Sequence, residues 1–438
     1  MPPAFGSAAV RTAGQGLWHF CLDRQITGDN MKEVFPLSAS SITKDIHAVG
    51  ILNPAMRIFD VVMKTEYGTS YNSYIVKGAE KTALIETCHL TFFDQYLDNI
   101  RQVCDPAQIH YIILNHCEPD HSGVLARLTA LCPKAQILVS QAGSLYLKNI
   151  TNQPSLPITV AKDGDQVDLG GKTLQFISAP FLHWPDSMLT WCPEEKVLFS
   201  CDVLGAHYCE PYTFDTNMAY PAKYEEAFKG YYDAIFGPFP SYVQNGLTKI
   251  KALDVETVCN SHGPVLPRGC RLEWAIDRYD EWSRPQKNEV PLIPIFYCSA
   301  YGNTGRVADM LRAGILEEIP HADCQIYDIN AHDMNFLQGL LNRSDAFGIG
   351  SPTINADAVA PVWNLLSHVD AINNRKRPAL VFGSYGWSGE AVPNLTARLK
   401  GLKSNVFEEG FRTIFVPSEE ELQKAKEFGK RFAQSLAK

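Results

Sequence analysis

The chain has 438 residues, which is too long for one ordinary hydrophobic core, so we expect two or three domains. Its composition, 45% hydrophobic and 20% charged, is typical of a soluble globular protein, and no run of 18 apolar residues predicts a membrane span. The formal net charge of -9 argues against a nucleic-acid-binding protein, because phosphate contacts require a basic face.

The first 30 residues contain Gly, Ala, Ser and Pro without apolar periodicity. They lack the long apolar segment of a secretion signal. We therefore expect residues 1–30 to be a disordered extension and the folded chain to begin at Met31.

The front half of the chain is rich in strand patterns. Apolar or alternating segments predict strands at 57–62, 73–76, 83–87, 111–114, 136–139, 173–177 and 188–191. Helical spacing of apolar residues occurs over 92–103 and 141–149. Because strands dominate and helices are interposed, two sheets faced by helices fit better than a simple doubly wound fold.

Side chains that can bind a metal are concentrated directly after the strand at 111–114. His116, Glu118 and Asp120 alternate, so they share one face of an extended segment, and a turn brings in His121. Two imidazoles and two carboxylates in one pocket are costly unless a positive charge lies between them. A metal ion supplies that charge, and the lack of a thiolate indicates a harder ion than a cysteine-rich site selects.

Three residues further along the chain extend this metal-site hypothesis. His183 lies between two predicted strands, Asp202 ends the apolar run 197–201, and His262 follows the run 255–259. Each is ordinary alone, since a single His or Asp in a turn is most often a cap or a satisfied polar group. In combination with the earlier cluster, and all at strand ends, they indicate one metal site.

A polar segment bracketed by prolines, residues 285–291, has the composition of an interdomain linker. Beyond it, strands alternate with helices, and the predicted strands 292–297, 346–350 and 379–383 each end in a polar loop. Loops at the carboxyl ends of parallel strands bind nucleotides in open α/β sheets. The first loop offers backbone N–H groups and a helix N-terminus to a phosphate, and Tyr385 and Trp387 can stack on a flat ring.

The predicted nucleotide-binding residues are Ser299, Ala300, Tyr301, Gly302, Asn303, Thr304, Ser351, Pro352, Thr353, Ile354, Asn355, Ser384, Tyr385, Gly386, Trp387 and Gly389.

The 12 cysteines are scattered, and no pair has C-x-x-C spacing. The sequence therefore encodes neither a zinc ribbon nor a rubredoxin-type iron site. A chain of this size does not need disulfides, so we expect free thiols and a cytoplasmic location.

The spacing His116-x-Glu118-x-Asp120-His121, with the three residues further along the chain, resembles the metallo-β-lactamase superfamily. Most hydrolases of that superfamily have His where Glu118 stands, and this exchange marks the flavodiiron proteins, also called A-type flavoproteins. The loop from Ser299 to Thr304 is similar to the phosphate loop of their FMN-binding domain. The resemblance covers roughly residues 40 to 438.

The resemblance implies an α/β protein with an N-terminal αββα metallo-β-lactamase-like sandwich at 31–284. The linker 285–291 then leads to a C-terminal flavodoxin-like, doubly wound parallel sheet at 292–438, which binds FMN.

The family pattern also implies how the seven residues divide between two iron ions. His116, Glu118 and His183 belong to one iron, Asp120, His121 and His262 belong to the other, and Asp202 bridges them. Seven ligands are too many for one tetrahedral ion but suit two metals that share a carboxylate and keep open positions.

The reaction implied by this resemblance is reduction of O₂ to water, of NO to N₂O, or of both, with the preference left open. Electron counting agrees, since a diferrous pair and a reduced flavin give two electrons each, and O₂ takes four. The family arrangement is a head-to-tail homodimer, or a dimer of dimers. No rubredoxin module or flavin-reductase domain follows Lys438, so we expect a separate electron donor, either rubredoxin or an NADH-dependent reductase.

Two other interpretations stay open at this stage. One is a dinuclear zinc hydrolase with an attached flavodoxin domain, which Glu118 argues against. The other is a non-enzymatic electron-transfer flavoprotein, which the complete ligand set argues against. His207, five residues after Asp202, is either part of a substrate pocket or an ordinary supporting or surface histidine.

Overall fold

The computed structural model describes residues 39–61, 63–285 and 287–436. The predicted extension at 1–30 lies outside the described residues. Two α/β domains follow each other along the chain. Among the described helices, none combines the length and the apolar composition that crossing a lipid bilayer requires.

The front domain contains short strands. They are β1 Ser40–Ser41, β2 Ile46–Ala48, β3 Ile51–Asn53, β4 Ile58–Phe59, β5 Met63–Lys64, β6 Thr69–Tyr71, β7 Tyr74–Lys77, β8 Thr82–Ile85, β9 Ile109–Ile113, β10 Gln136–Val139, β11 Ile158–Val160, β12 Gln166–Asp168, β13 Thr173–Ser178, β14 Met188–Cys192, β15 Val197–Cys201, β16 Thr257–Asn260 and β17 Leu266–Pro267. Several central ones, such as β7, β14 and β15, are buried on both faces.

The front helices are α1 Phe93–Val103, α2 Pro119–Ser122, α3 Leu125–Leu128, α4 Gln141–Thr151, α5 Pro221–Tyr231, α6 Pro240–Lys251 and α7 Leu272–Trp282. A π-helical turn, Tyr232–Phe236, continues α5.

Two large sheets form the front domain, beside the two-stranded pairs β3-β6 and β4-β5. The first has the order β1-β2-β7-β8-β9-β10-β11 and is parallel from β8 to β11. The second has the order β12-β13-β14-β15-β16-β17 and is antiparallel except where β15 pairs with β16. In both sheets, parallel neighbours bring the carboxyl ends of their strands to one edge.

The front core has a layer between the sheets and a layer outside each of them. Tyr74 and Ile113 of the first sheet pack against Phe176 and Phe199 of the second, and all four are buried. Helices α1, α3 and α4 cover the outer face of the first sheet, and α5 to α7 cover that of the second. Burial of each large apolar side chain contributes roughly 1.5–3 kcal/mol. The predicted αββα sandwich is confirmed.

One predicted strand is wrong. The pattern at 57–62 indicated a single strand, but β4 and β5 pair with each other as a hairpin. Asp60 and Val61 turn the chain with φ angles of 46° and 66°. This left-handed conformation is uncommon for residues other than glycine, so the sequence does not predict it here. The apolar alternation therefore continues across a turn.

The rear domain is a parallel sheet with helices on both faces. Its strands are β18 Ile295–Tyr297, β19 Ile326–Asp328, β20 Phe347–Ile354, β21 Asp357–Ala358, β22 Pro378–Tyr385, β23 Asn405–Val406 and β24 Phe411–Ile414. Its helices are α8 Asn303–Glu318, α9 Met334–Arg343, α10 Ala360–Ser367, α11 Ala391–Gly401 and α12 Glu419–Leu436.

The strand order is β19-β18-β20-β22, and β23 and β24 both pair with β22. The second strand along the chain, β19, therefore lies on one side of β18, and the later strands lie on the other side. This is the predicted doubly wound sheet. Helices α9 to α11 cover one face, and α8 and α12 cover the other. Helices α8 and α12 approach closely at Gly314 of α8 and Gly429 of α12. A Cβ atom at Gly314 would lie 1.9 Å from Lys426 O, and one at Gly429 would lie 2.3 Å from Leu311 O. Larger residues at these two positions would force the helices apart.

Candidate metal and flavin sites

The structure brings all seven predicted metal-binding residues together at one edge of the front domain. His116 and Glu118 lie in the loop after β9, and Asp120 and His121 lie on the short helix α2. Six of the seven are buried, and the His183 side chain is 14% exposed. The remaining positions are the β13–β14 loop for His183, the end of β15 for Asp202 and the end of β16 for His262.

Three of these residues form a first cluster around Glu118. Its Oε2 atom lies 3.1 Å from Nε2 of His116 and 3.2 Å from Nε2 of His183. Two donor atoms about 2.1 Å from one ion and at right angles to each other lie about 3.0 Å apart. The spacing of this cluster therefore fits one metal ion.

A second cluster surrounds Asp120. Its Oδ2 atom lies 3.1 Å from Nε2 of His262, and its Oδ1 atom lies 3.5 Å from Nε2 of His121. Both carboxylate oxygens are buried, and within the described residues neither accepts a hydrogen bond of good geometry. A buried carboxylate with both oxygens unsatisfied is rare in proteins, and a metal ion would satisfy it.

Asp202 lies between the two clusters. Its Oδ1 atom is 3.2 Å from Nε2 of His121 and 3.4 Å from Nε2 of His262. Its Oδ2 atom is 3.6 Å from Nε2 of His183 and 4.0 Å from Nε2 of His116. One oxygen thus faces each cluster, which is the position of a bridging carboxylate in a dinuclear site.

The electrostatics of the site favour a positive charge at its centre. Burial lowers the pKa of His116, but hydrogen bonds with Asp186 and Glu118 outweigh it and raise this pKa to about 10. Burial raises the pKa of Asp202, but the charge of His121 and the hydrogen bond with it hold this pKa well below its usual range. The carboxylates stay ionised, and the histidines hold protons that balance this negative charge. Metal ions bound to neutral histidines would supply the same positive charge in place of those protons.

The structure also identifies what orients the histidines, which the sequence analysis missed. Oδ1 of Asp186 lies 3.1 Å from Nδ1 of His116, and Ser70 O lies 2.6 Å from Nδ1 of His262. Oε2 of Glu86 lies 3.4 Å from Nδ1 of His121 and faces that ring as a nearby negative charge, without a hydrogen bond of good geometry among the described residues. Such acceptors fix the tautomer and the orientation of a metal-bound imidazole. Their one sequence signal is that Glu86 directly follows a buried strand, as the ligands do.

Another residue missed in the sequence is Asp60, at the turn between β4 and β5. Although the residue is largely exposed, partial removal of its carboxyl group from water, together with the nearby carboxylate of Glu118, raises its pKa to about 7. Asp60 is therefore a carboxyl group at the mouth of the metal site that is only part ionised near neutral pH.

His207 lies inside the site and not on the surface. Its ring is 5% exposed and lies 4.8 Å from the ring of Tyr231 and 5.0 Å from that of His262. Burial, followed by the charge of His262, lowers the pKa of His207 to about 3, so the ring is neutral. Trp184 lies 4.9 Å from the ring of His116 and closes the other side of the cluster.

The predicted nucleotide-binding loops meet at one edge of the rear sheet, because β18, β20 and β22 are parallel neighbours. Gly302, with a φ of 81°, precedes helix α8 and has no side chain to cap it, and the one described side chain that bonds there is Ser299, whose Oγ accepts from the Gly305 amide at a long 3.4 Å. The first N–H groups of this helix are therefore available to an anion such as the FMN phosphate. The side chains of Tyr301 and Trp387 are 92% exposed at this edge, which leaves both rings accessible for stacking on a flat ligand.

Not every predicted loop residue presents its side chain. Thr304 is fully buried, and its hydroxyl lies 2.8 Å from Oγ of Ser384, so these two residues join the first and third loops. The hydroxyl of Ser351 donates to Pro352 O and accepts from the Val359 amide, which leaves it a structural role. The predicted strand ends at 350 and 383 are wrong, because β20 continues to Ile354 and β22 to Tyr385, so several of the predicted residues lie at the ends of these strands and not in loops. They still lie at the carboxyl edge of the sheet, and the residue types there fit FMN.

Comparison with known proteins agrees with this architecture. Residues 69–263 match the ODP family β-lactamase model, and residues 295–429 match the flavodoxin model. The chain is 50% identical over 401 residues to "Flavo-diiron protein FprA2" of Clostridium acetobutylicum. The aligned region covers 91% of this chain and 100% of that relative.

Two further matches carry functional names. The "Nitric oxide reductase" of Moorella thermoacetica is 31% identical over 401 residues, covering 91% of this chain and 98% of the relative. The solved structure of rubredoxin oxygen:oxidoreductase from the anaerobe Desulfovibrio gigas has a TM-score of 0.68 and 26% identity, covering 91% of this chain and 99% of that chain.

Proposed function

Because the chain belongs to the flavodiiron protein family, we propose that it reduces O₂ to water, NO to N₂O, or both, at a non-haem diiron site that FMN supplies with electrons. It is an oxidoreductase. One of its relatives is named a nitric oxide reductase and one structural neighbour a rubredoxin oxygen:oxidoreductase, which supports both substrates. The observation that carries the proposal is the position of Asp202, with one oxygen facing each of two His–carboxylate clusters.

His116, Glu118 and His183 would hold one iron, and Asp202 would bridge it to the other. Two carboxylates and two imidazoles around each ion form a hard ligand set that suits iron. When bound, the pair of ferrous ions supplies two electrons and reduced FMN supplies two more, which together match the four that O₂ requires.

Asp120, His121 and His262 would hold the second iron. The chain's other contribution is to fix these ligands and to exclude bulk water. Tyr231 donates its hydroxyl to Oδ1 of Asp202 at 3.1 Å, which fixes the bridging carboxylate. Trp184 closes one side of the pocket.

The flavin would lie on the three loops at the edge of the rear sheet. Its phosphate would meet the N-terminus of α8 at Gly302, and its ring would lie beside Tyr385 and Trp387. The donor set supports this, since the segments from Ser299, Ser351 and Ser384 combine backbone N–H groups with hydroxyls. We place the domain limits at 31–284 and 292–438, and the family-model matches fall inside them.

We further propose a head-to-tail dimer, or a dimer of dimers, in which the flavin of one subunit serves the irons of the other. The loops that would hold the flavin carry an exposed apolar surface. Besides the rings of Tyr301 and Trp387, which are assigned to the flavin, Ile354 and Phe415 are each more than half exposed there, and such apolar surface is typical of a subunit interface.

Electrons would come from a separate donor of the rubredoxin type, or from an NADH-dependent flavin reductase. The name of the structural neighbour, rubredoxin oxygen:oxidoreductase, supports the first choice. The eleven cysteines in the described part of the chain are all free thiols, which supports a cytoplasmic location.

The test is metal and flavin analysis of the purified protein, followed by anaerobic turnover of the reduced protein with O₂ and with NO. We expect about two irons and one FMN per chain and consumption of at least one gas. Two zinc ions per chain would indicate a hydrolase instead, and flavin without metal would indicate a simple electron carrier. Consumption of neither gas by the iron-loaded protein would contradict the proposed function.

A further inference from the structure

His207 has one ring nitrogen with a partner and one without. Its Nδ1 atom lies 2.9 Å from Oγ1 of Thr69. Its Nε2 atom is buried and, within the residues that the structure describes, has no hydrogen-bond partner. Buried ring nitrogens are normally paired, so an unpaired one at a metal site indicates a ligand that the chain itself does not provide.

The surroundings of His207 are those of the metal site. Its ring lies 4.5 Å from the ring of Phe59, and both other neighbours belong to the proposed centre. His262 is a proposed iron ligand, and the hydroxyl of Tyr231 donates to the bridging carboxylate. The ring is thus held between an apolar wall and the iron ligands.

The negative charges that act on His207 come from all three carboxylates of the proposed ligand set, namely Asp120, Asp202 and Glu118. Thr69 lies on the other side, since its Oγ1 atom is also 3.4 Å from Nδ1 of His262, the nitrogen turned away from the proposed iron. Thr69 therefore anchors the rear edge of the His207 ring, and Nε2 is the edge left for the pocket.

We propose that His207 positions the substrate: Nε2 hydrogen-bonds to the small molecule, solvent or diatomic gas, that binds between the two metals. This inference rests on the proposed function. His207 is not a metal ligand in this assignment, because the seven other residues complete both clusters. Its contribution is to orient the bound molecule and to hold it against dissociation.

Two substitutions separate this role from simple packing. In His207→Asn the amide group stands near the position of Nδ1, so the bond to Thr69 is kept and the Nε2 group is lost. In His207→Gln the longer side chain places an amide near the position of Nε2. A glutamine amide turns to present either a donor or an acceptor, so the comparison holds for both tautomers of the histidine.

The experiment uses the full-length, iron- and FMN-loaded protein. For each variant we measure iron and FMN per chain, kcat and KM for O₂ and for NO, and the N–O stretching frequency of the NO-treated reduced protein. His321→Gln, an exposed histidine of the rear domain, is the matched control.

We expect His207→Asn to keep its iron and FMN, to lose about tenfold in kcat/KM and to shift the N–O frequency, the effect of one lost hydrogen bond. We expect His207→Gln to stay within about threefold of the wild type. The inference is overturned if the Asn variant equals the wild type, if both variants lose activity equally, or if either loses iron.

Thr69→Val serves if neither His207 variant folds. It removes the anchor of the His207 ring and leaves Nε2 in place but misdirected, so we expect iron and FMN to be retained, the N–O frequency to shift and kcat/KM to fall by up to about tenfold. Wild-type values of both the frequency and kcat/KM overturn the inference. A wild-type protein that consumes neither gas contradicts the proposed function. A fully active wild type with unaffected variants contradicts the role of His207 alone.

Discussion

The carboxylate of Asp186 binds the metal-site loop at two points, because Oδ1 lies 3.1 Å from Nδ1 of His116 and Oδ2 accepts the Cys117 amide at 2.7 Å. One buried side chain thus fixes both the orientation of a proposed iron ligand and the backbone that carries it. Such a partner raises the basicity of the imidazole and holds its tautomer.

Asp186→Asn should therefore weaken iron binding while leaving FMN in place. The amide keeps the size of the side chain but removes the charge that favours the N–H of His116, and loss of such a partner costs about 10–100-fold in metal affinity. Iron content after dialysis against a graded chelator measures the effect. Asp277→Asn, an exposed residue on α7, is the control, and equal iron retention in both variants would contradict the assignment.

His262→Ala should remove one iron and most of the activity, with FMN retained. Among the proposed ligands, His262 lies beside Asp120 and the Asp202 oxygen that faces the same cluster, so the cluster around Glu118 keeps its full set of ligands. Asp202→Ala should instead lower the occupancy of both metals, since its oxygens face both clusters. Elemental analysis of the two variants is the measurement, and unchanged iron in His262→Ala would refute the ligand assignment.

Thr304→Phe should weaken FMN binding without affecting iron. Thr304 is fully buried under the first loop and bonded to Ser384, so a ring at this position displaces the loop that would hold the phosphate. FMN fluorescence after gel filtration and iron analysis together provide the readout. Thr248→Phe, at an exposed position on α6, is the control, and full flavin retention in Thr304→Phe would count against this phosphate site.

Removal of the iron should make stability depend on pH. Without metal, the pKa of His116 rises from 6.5 to about 10, because the carboxylates of Asp186 and Glu118 outweigh its burial. Protonated His116 then stabilises the fold fully below pH 6.5, and this contribution disappears as the pH rises towards 10. We expect the unfolding temperature of the apoprotein to fall across this range relative to the iron-loaded protein. Parallel curves would show that His116 does not carry this charge.

The proposed metal ligands were accessible from the sequence because their arrangement is largely local. His116, Glu118, Asp120 and His121 occupy six consecutive positions, and the strand–loop–helix context fixes their direction. Asp202 and the other distant ligands follow apolar runs, and strands of one sheet end at a shared edge. The rear loops were predicted by the same rule of parallel strands.

The orienting groups were not accessible, because they depend on which strands are neighbours. Glu86 reaches His121 only because β8 lies beside β9 in the sheet, and Ser70 reaches His262 across nearly two hundred residues. Sequence periodicity carries no information on strand order. The turn at Asp60 was missed for a different reason, since its left-handed backbone has no glycine to mark it.

The head-to-tail dimer predicts that two inactive variants recover activity when they form a mixed dimer, which electron transfer within one subunit does not predict. His262→Ala has an intact flavin site and a damaged metal site, and Thr304→Phe has the reverse. In a head-to-tail dimer that contains one of each, the flavin of the first subunit faces the intact irons of the second. Each mixed dimer therefore regains one of its two working pairs, although neither variant is active alone.

Co-expression of the two variants with different tags, followed by purification through both tags, isolates the mixed dimer. Its specific activity should be about half that of the wild type, because one of two electron routes is restored. The matched control is a mixed dimer of His262→Ala with Asp202→Ala, in which both metal sites are damaged and no route is restored. Activity in the first pair no greater than in this control would place the flavin and the irons that serve each other within one subunit.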